Sequence, residues 1–176
     1  LFRPADAVEA AEAWACALTL KKAPSLLSLS RQKTPPVRQG RAADNLTAKG
    51  AYELSPASGP AKVSLFSTGT EVALALKAQQ LLEAEGVPTR VVSAPCWALF
   101  EQQDAAYKSR VLGDAPAKVA VEAAVRFGWD RFIGPDGGFV GMTGFGASAP
   151  AEVLYKEFGI TAEAVAAEAK RLLAKG

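Results

Sequence analysis

The sequence predicts an α/β fold in which a mostly parallel, doubly wound sheet is flanked by helices. From residue 62 onward, short apolar segments alternate with segments of helical periodicity. The apolar segments are continuous, which is typical of parallel strands that are buried on both faces. Since 49% of the 176 residues are hydrophobic, the chain can bury a sizeable core. We therefore expect residues 62–176 to form a doubly wound α/β domain.

Residues 1–31 predict a helix followed by a strand, the remnant of another α/β domain. Asp6, with Glu9 three residues later, is typical of a helix N-terminus. An apolar stripe at helical spacing follows, made of Val8, Ala11, Ala15 and Leu18. The apolar run that begins at Ser25 predicts a buried strand ending at Arg31. Residues 32–61 are rich in proline and glycine and predict a linker, with a short strand near residues 51–54.

The elements expected within residues 62–176 alternate regularly. Strands are predicted at residues 63–67, 90–93, 118–122 and 131–134. Helices are predicted at residues 69–85, between residues 95 and 110, and at residues 150–158 and 161–175. A capping box is expected in which Thr68 caps the first helix and Glu71 reaches back. The glycine-rich residues 134–152 are interpreted as turns around a short strand.

Arg31 is the first candidate binding residue. Ligands gather at the carboxyl ends of strands in parallel sheets, and Arg31 is placed at such an end. The planar fork of a guanidinium group suits phosphate and carboxylate ligands. The alternative is an ion pair between Arg31 and a loop carboxylate.

Thr68, Gly69 and Thr70 are candidates for an anion site. They link a predicted strand to a predicted helix N-terminus, where unpaired N–H groups can bind anions. The segment lacks both the P-loop and the Gly-x-Gly-x-x-Gly patterns, so an ordinary helix start is the alternative. For Glu122, which ends a predicted strand, we expect a salt bridge. We expect Trp97, Phe100, Trp129 and Phe132 to be core or interface aromatics.

Composition excludes several classes of site. The net charge is +2, with no clustered basic face to favour nucleic acid, and no apolar stretch approaches the roughly 20 residues that span a bilayer. The chain contains no histidine, so it cannot by itself form a Ser-His-Asp, Cys-His or histidine metal site. Cys16 and Cys96 do not form a metal-ligand pattern, and we expect free thiols in a reducing compartment, the cytoplasm. The chain begins without methionine, and we expect it to be part of a longer protein.

Several segments, taken in order, resemble the C-terminal part of transketolases. They are FRPADAVEAAEAW, LSLSRQ, KGAYEL, STGTEVALAL, RVVSAPCWALFEQQDAAYKSRVL, VAVEAAVRFGWDRFIG and GMTGFGASAPAEVLYKEFGIT. The resemblance covers nearly the whole chain. It implies that residues 1–31 end the pyrimidine-binding domain and that the C-terminal domain, with an added antiparallel strand, begins near residue 48. Two segments argue against ketoacid dehydrogenase β subunits and deoxyxylulose-phosphate synthases, namely SAPCWALFEQQDAAY and GFGASAPAEVLYKEFG.

The resemblance also implies a function for the intact protein. Transketolases move two-carbon ketol units from ketose phosphates to aldose phosphates in the pentose phosphate pathway and the Calvin cycle. They use thiamine diphosphate and a divalent cation, magnesium or calcium, and work as homodimers. The arginine of the Ser-Arg-Gln motif contacts the sugar phosphate, a role that falls on Arg31. We expect no catalytic residue, metal ligand or bound cofactor in this chain. Its expected role is to support the remainder of the polypeptide structurally.

A second hypothesis stays open at this point. The chain would then be a small regulatory module that binds a nucleotide or another anion at Thr68–Glu71. Fold alone does not decide between the two hypotheses.

Overall fold

The computed structural model of the chain describes residues 1–38 and 44–175. Within those residues, five strands form one sheet in the order β1-β3-β2-β4-β5. In chain order they are β1 (Tyr52–Ser55), β2 (Val63–Ser67), β3 (Thr89–Ser93), β4 (Ala117–Glu122) and β5 (Gly138–Gly141). β1 is antiparallel to β3, and the other neighbouring pairs are parallel. The predicted α/β class with a mostly parallel sheet is confirmed.

Helices cover both faces of this sheet. They are α1 (Ala7–Thr19), α2 (Val72–Ala84), α3 (Trp97–Glu101), α4 (Ala105–Leu112), α5 (Asp130–Ile133), α6 (Ala151–Glu157) and α7 (Ala162–Leu173). Two short 3-10 helices occupy Thr47–Lys49 and Gly69–Glu71. Among the described residues, no helix combines the length and apolarity that crossing a membrane requires.

One face of the sheet packs against α2 and α7. Alternate strand residues point to this face and are fully buried, including Val63, Leu65, Val91 and Val119. Their partners on α7 are Val165 and Ala169, which form the apolar face of that helix. Thr161 caps α7, since its hydroxyl oxygen accepts a hydrogen bond from the N–H of Ala164. Burying each Val or Leu side chain contributes about 1.5–3 kcal/mol.

The opposite face carries an aromatic cluster. Phe66 of β2 packs against the four predicted aromatics, which belong to α3, to α5 and to the N-cap of α5. The rings of Trp97 and Trp129 meet edge to face, with 4.9 Å between their centroids. Such pairs contribute about 0.5–1.5 kcal/mol beyond the area they bury. Three of the four predicted aromatics are buried and Trp97 is partly buried, so the core assignment is confirmed.

Helix α1 begins where the sequence predicts, but it buries the opposite face. The carboxylate of Asp6 accepts hydrogen bonds from the N–H groups of Val8 and Glu9, which confirms the cap. The predicted apolar stripe is exposed, and Leu18 keeps 76% of its surface accessible. The buried residues of the helix are Glu9, Ala13 and Cys16. The prediction of the buried face was wrong because polar Glu9 faces the sheet, where it finds three hydrogen-bond donors.

The predicted buried strand at residues 25–31 is also wrong. The segment is extended but forms a single bridge, between Leu27 and Phe2. Leu26 and Leu29 remain 64% and 56% exposed. A strand needs neighbours along its length, and among the described residues Phe2 supplies the one bridge.

The last predicted strand, at residues 131–134, was placed wrongly. The apolar run Arg131–Gly134 is not a strand; it lies mostly in α5. The final strand is β5, which lies inside the glycine-rich stretch and confirms the interpretation of turns around a short strand. The short strand expected near residues 51–54 is β1, at the edge of the sheet. Residues 39–43 of the predicted linker lie outside the described part of the chain.

Candidate functional site

Arg31 lies in an exposed bend immediately after the extended segment. The bend is closed by Ser30, whose hydroxyl group donates a 2.8 Å hydrogen bond to the carbonyl oxygen of Gln32. Within residues 1–38 and 44–175, the side chain of Arg31 forms neither a hydrogen bond nor an ion pair. A loop carboxylate among those residues therefore does not engage the guanidinium group.

Thr68, Gly69 and Thr70 lie where the sequence predicts, at the carboxyl end of β2, but the expected capping box is wrong. The side chain of Thr68 makes no capping bond. Its hydroxyl group donates instead to the carbonyl oxygen of Arg3, at 3.3 Å. The N–H of Gly69 donates to the same carbonyl oxygen, at 3.0 Å. Two donors of the candidate anion site are thus engaged by the first residues of the chain.

Glu71 faces a different partner from the one the capping box implies. Its carboxylate accepts a hydrogen bond from the Thr70 hydroxyl at 2.5 Å and another from the hydroxyl group of Tyr155 on α6. Burial, together with the charge of Glu71, raises the pKa of Tyr155 to about 12. This corner therefore holds a carboxylate that would repel an anion.

Glu122 confirms the expected salt bridge. It ends β4 with 2% of its surface exposed, and its carboxylate pairs with the guanidinium group of Arg3. The indole N–H of Trp129 donates to the other carboxylate oxygen at 2.6 Å. A buried carboxylate requires such partners, because an unpaired buried charge is strongly destabilising.

A groove of about 700 Å³ opens beside these residues at the carboxyl edge of the sheet. One wall is the segment Gln32–Pro35, which directly follows Arg31, and another is α6 with Tyr155. The remaining walls are mainly alanine, leucine and glycine positions of α2 and of the loop after β5. The groove is thus largely apolar except at the first of these walls, where Lys33 contributes a cation.

The two cysteines are free and buried, as predicted. Burial raises the pKa of the Cys16 thiol, which makes its reactive thiolate form less accessible. In the described ranges, no group of three or more cysteine or acidic side chains is arranged to hold a metal ion.

Comparisons with known proteins agree with this architecture. Residues 50–161 match the family described as the transketolase-like TK C-terminal domain. The transketolase of Sinorhizobium medicae is 55% identical over 174 residues, which is 98% of this chain and 25% of that protein. The chloroplastic transketolase of Solanum tuberosum is 48% identical over 175 residues, 98% of this chain and 23% of that protein.

A solved structure extends the match to three dimensions. A transketolase from Pichia stipitis, in complex with sedoheptulose 7-phosphate, superposes with a TM-score of 0.88 at 33% identity, covering 99% of this chain and 25% of that one. The chain thus spans about a quarter of the length of the curated relatives it matches. The resemblance inferred from the sequence is confirmed, and the chain belongs to the transketolase family, of which it carries the C-terminal domain.

Proposed function

We propose that the protein containing this chain transfers two-carbon ketol units from ketose phosphates to aldose phosphates, the reaction of the pentose phosphate pathway and the Calvin cycle. The observation that carries this proposal is the 55% identity to a transketolase over 98% of the chain. The Pichia stipitis relative, solved with sedoheptulose 7-phosphate, supports sugar phosphates as the substrate class.

The contribution of this chain to the active site is one substrate-phosphate contact, made by Arg31. Its guanidinium group is exposed and engages no described residue. A phosphate monoester presents several oxygens to such a fork, and charge-assisted bonds of this kind contribute about 1.5–3 kcal/mol each.

The cofactors of the reaction, thiamine diphosphate and magnesium or calcium, do not fit the residues of this chain. A diphosphate needs several free N–H donors, yet Gly69 and Thr68 already donate to Arg3. A divalent cation needs clustered oxygen ligands, and the described ranges contain no such cluster. The cofactors are therefore assigned to the remainder of the protein, and no chemical step is assigned to this chain.

The partners of the domain are the remainder of the same polypeptide and, in the intact enzyme, a second subunit. The exposed stripe of α1 supports the first, since Trp14 and Leu18 are 54% and 76% exposed and contiguous exposed apolar surface marks an interface. The homodimer is proposed from membership of the family. A cytoplasmic location is proposed from the two free cysteines.

The alternative of an anion-binding regulatory module at Thr68, Gly69 and Thr70 is not favoured. The carbonyl oxygen of Arg3 occupies two of the donors, and the carboxylate of Glu71 lies beside Thr70. Calorimetric titration of the chain with ATP tests it: saturable heat that a Thr68→Ala, Gly69→Val variant abolishes would restore this hypothesis.

The proposed reaction is tested on the complete polypeptide. Ketol transfer between a ketose phosphate and an aldose phosphate should require added thiamine diphosphate and magnesium after both have been removed by dialysis against a chelator. A full-length protein that binds thiamine diphosphate but transfers no ketol unit to any aldose phosphate would refute the proposal.

A further inference from the structure

We infer that the C-terminal domain positions Arg31 through the segment Phe2–Asp6, here called the anchor segment. This inference rests on the proposed role of Arg31 in binding the substrate phosphate. The middle of the anchor segment is hydrogen-bonded to residues at the edge of the sheet. Its two ends are hydrogen-bonded to the two ends of the loop that carries Arg31, residues 28–37. Arg3, Asp6 and Glu122 are accordingly positioning residues, which act on the substrate through Arg31.

The upstream end of the Arg31 loop is bonded to Phe2. The N–H of Phe2 donates to the carbonyl oxygen of Leu26 at 2.8 Å, and the N–H of Ser28 donates to the carbonyl oxygen of Phe2 at 2.8 Å. Phe2 is itself 2% exposed and packs against Cys96, beside α3. The chain is therefore fixed three residues before Arg31.

The downstream end of the loop is bonded to Asp6. One carboxylate oxygen of Asp6 caps α1, and the other accepts hydrogen bonds from the N–H groups of Val37 and Arg38 at 3.0 and 3.3 Å. Val37 is buried beside Ala5 and Val72. Pro35 and Pro36 lie between Arg31 and the residues bonded to Asp6. Because each proline ring fixes a backbone φ angle, the loop downstream of Arg31 has fewer accessible backbone conformations.

The anchor segment is held by the sheet at the place where open α/β sheets usually bind ligands. The strand order reverses between β2 and β4, and ligands bind at the carboxyl ends of such strands. The backbone of Arg3 bridges the segments that follow β2 and β3: its carbonyl oxygen accepts from the N–H of Gly69, and its N–H donates to the carbonyl oxygen of Pro95 at 2.8 Å. The guanidinium group of Arg3 pairs with buried Glu122 at the end of β4.

These contacts form one continuous path from the sheet to the loop. A binding group that is held in place before the substrate arrives loses less conformational entropy on binding. Releasing either end of the loop should therefore weaken the phosphate contact while leaving the reacting carbons untouched. The expected signature is a higher KM for phosphorylated substrates, with little change for unphosphorylated ones.

Two substitutions in the full-length enzyme separate this role from simple loss of stability. Asp6→Asn keeps an oxygen to cap α1 but turns an amide toward the N–H groups of Val37 and Arg38. Glu122→Gln keeps an acceptor for Trp129 but removes the charge that pairs with Arg3. The matched control is Glu53→Gln, which breaks the ion pair with Arg90 near the amino end of β3 in the same sheet.

Steady-state kinetics are measured with an aldose phosphate and with an unphosphorylated aldose as acceptors. Asp6→Asn and Glu122→Gln should each raise the KM of the phosphorylated acceptor by about threefold to tenfold. Neither should raise it further in an Arg31→Ala background, and Glu53→Gln should leave the ratio of the two KM values unchanged. Arg3→Lys, which retains a cation for Glu122, should keep most of the selectivity that Arg3→Ala loses.

The inference fails if Asp6→Asn and Glu122→Gln affect both acceptors equally, or if their effects add fully to that of Arg31→Ala. If Arg31→Ala raises the KM of the phosphorylated acceptor selectively and the two variants do not, this inference fails while the proposed role of Arg31 stands. If Arg31→Ala itself is not selective, the proposed role of Arg31 fails first. Thermal melting of each variant identifies one that loses selectivity only because it unfolds, and Arg3→Ala then replaces it.

Discussion

The hydroxyl group of Tyr52 donates a 2.7 Å hydrogen bond to the carboxylate of Glu9, which joins α1 to the edge strand of the sheet. Ser93 of β3 donates to the same oxygen at 2.6 Å, and the N–H of Ala5 donates to the other at 2.7 Å. Glu9 is fully buried, and no cation faces it among these contacts. The junction between the first helix and the sheet is therefore built on a desolvated carboxylate.

This arrangement predicts a pH-dependent stability. Burial raises the pKa of Glu9 above its ordinary value of 4.5, despite the three donors. The folded state consequently binds the proton more tightly than the unfolded state, so the contribution of Glu9 is fully present below pH 4.5 and is lost as the pH rises through the folded pKa. Glu9→Gln, which stays neutral, should gain stability relative to the unsubstituted chain as the pH rises above 4.5.

Urea unfolding at several pH values measures this difference. The amide group introduced by Glu9→Gln retains the geometry, because its oxygen can face Ala5 while the hydroxyl oxygens of Tyr52 and Ser93 accept from its nitrogen. A difference in unfolding free energy that does not change with pH would show that Glu9 titrates normally.

A second prediction compares two glycines. Gly50 has a φ of +82°, and an added Cβ would meet the backbone of Cys96 and Phe100. Gly86 has a φ of +75°, with open space around the same position. Gly86→Ala should cost about 1–2 kcal/mol from backbone strain alone. Gly50→Ala should cost about 2–5 kcal/mol, because overpacking adds to the strain.

Urea unfolding of the two variants, side by side, makes the comparison. Equal losses would mean that the chain relaxes around Gly50 and that the close approach of α3 is not constrained.

A third prediction concerns the isolated chain. The 176 residues contain no histidine, and their described part offers no metal-ligand cluster. We expect no ketol transfer by the purified chain, even with excess thiamine diphosphate and magnesium. Turnover above that of a heat-denatured sample would contradict this prediction, provided that mass spectrometry shows the sample to be free of longer polypeptides.

The features that the sequence predicted correctly are local. The α1 cap depends on Asp6 and the two N–H groups that follow it, and the end of α2 depends on Gly86, whose φ is +75°. The central strands are continuous apolar runs, which indicate a strand in any context that buries both faces.

The features that it missed depend on distant residues. Thr68 resembles a helix cap, but the carbonyl oxygen of Arg3, 65 residues away, takes its hydroxyl hydrogen. The stripe of α1 is apolar yet exposed. An apolar stripe indicates that a helix face packs against another surface, but it does not identify that surface. β5 has two glycines among its four residues, so the propensity of its side chains gives little indication of a strand.

From the sequence, the candidate site could be predicted only as one arginine, Arg31, and not as an arrangement of contacts around it. The Ser-Arg-Gln motif singled out Arg31, and the structure leaves that side chain exposed in a bend. Of the anchor segment, the sequence indicated only the cap at Asp6, since the backbone bonds to Phe2 and Arg3 depend on the folded sheet.

The kinetics of Arg31→Ala in the full-length enzyme test the central claim most directly. The KM of a phosphorylated substrate should rise by an amount equivalent to about 1.5–3 kcal/mol, the contribution of a lost charged hydrogen bond. The KM of Arg31→Lys should lie between those of the unsubstituted enzyme and Arg31→Ala. The KM of an unphosphorylated substrate should change little. An equal loss on both substrates would contradict the claim that Arg31 binds the phosphate.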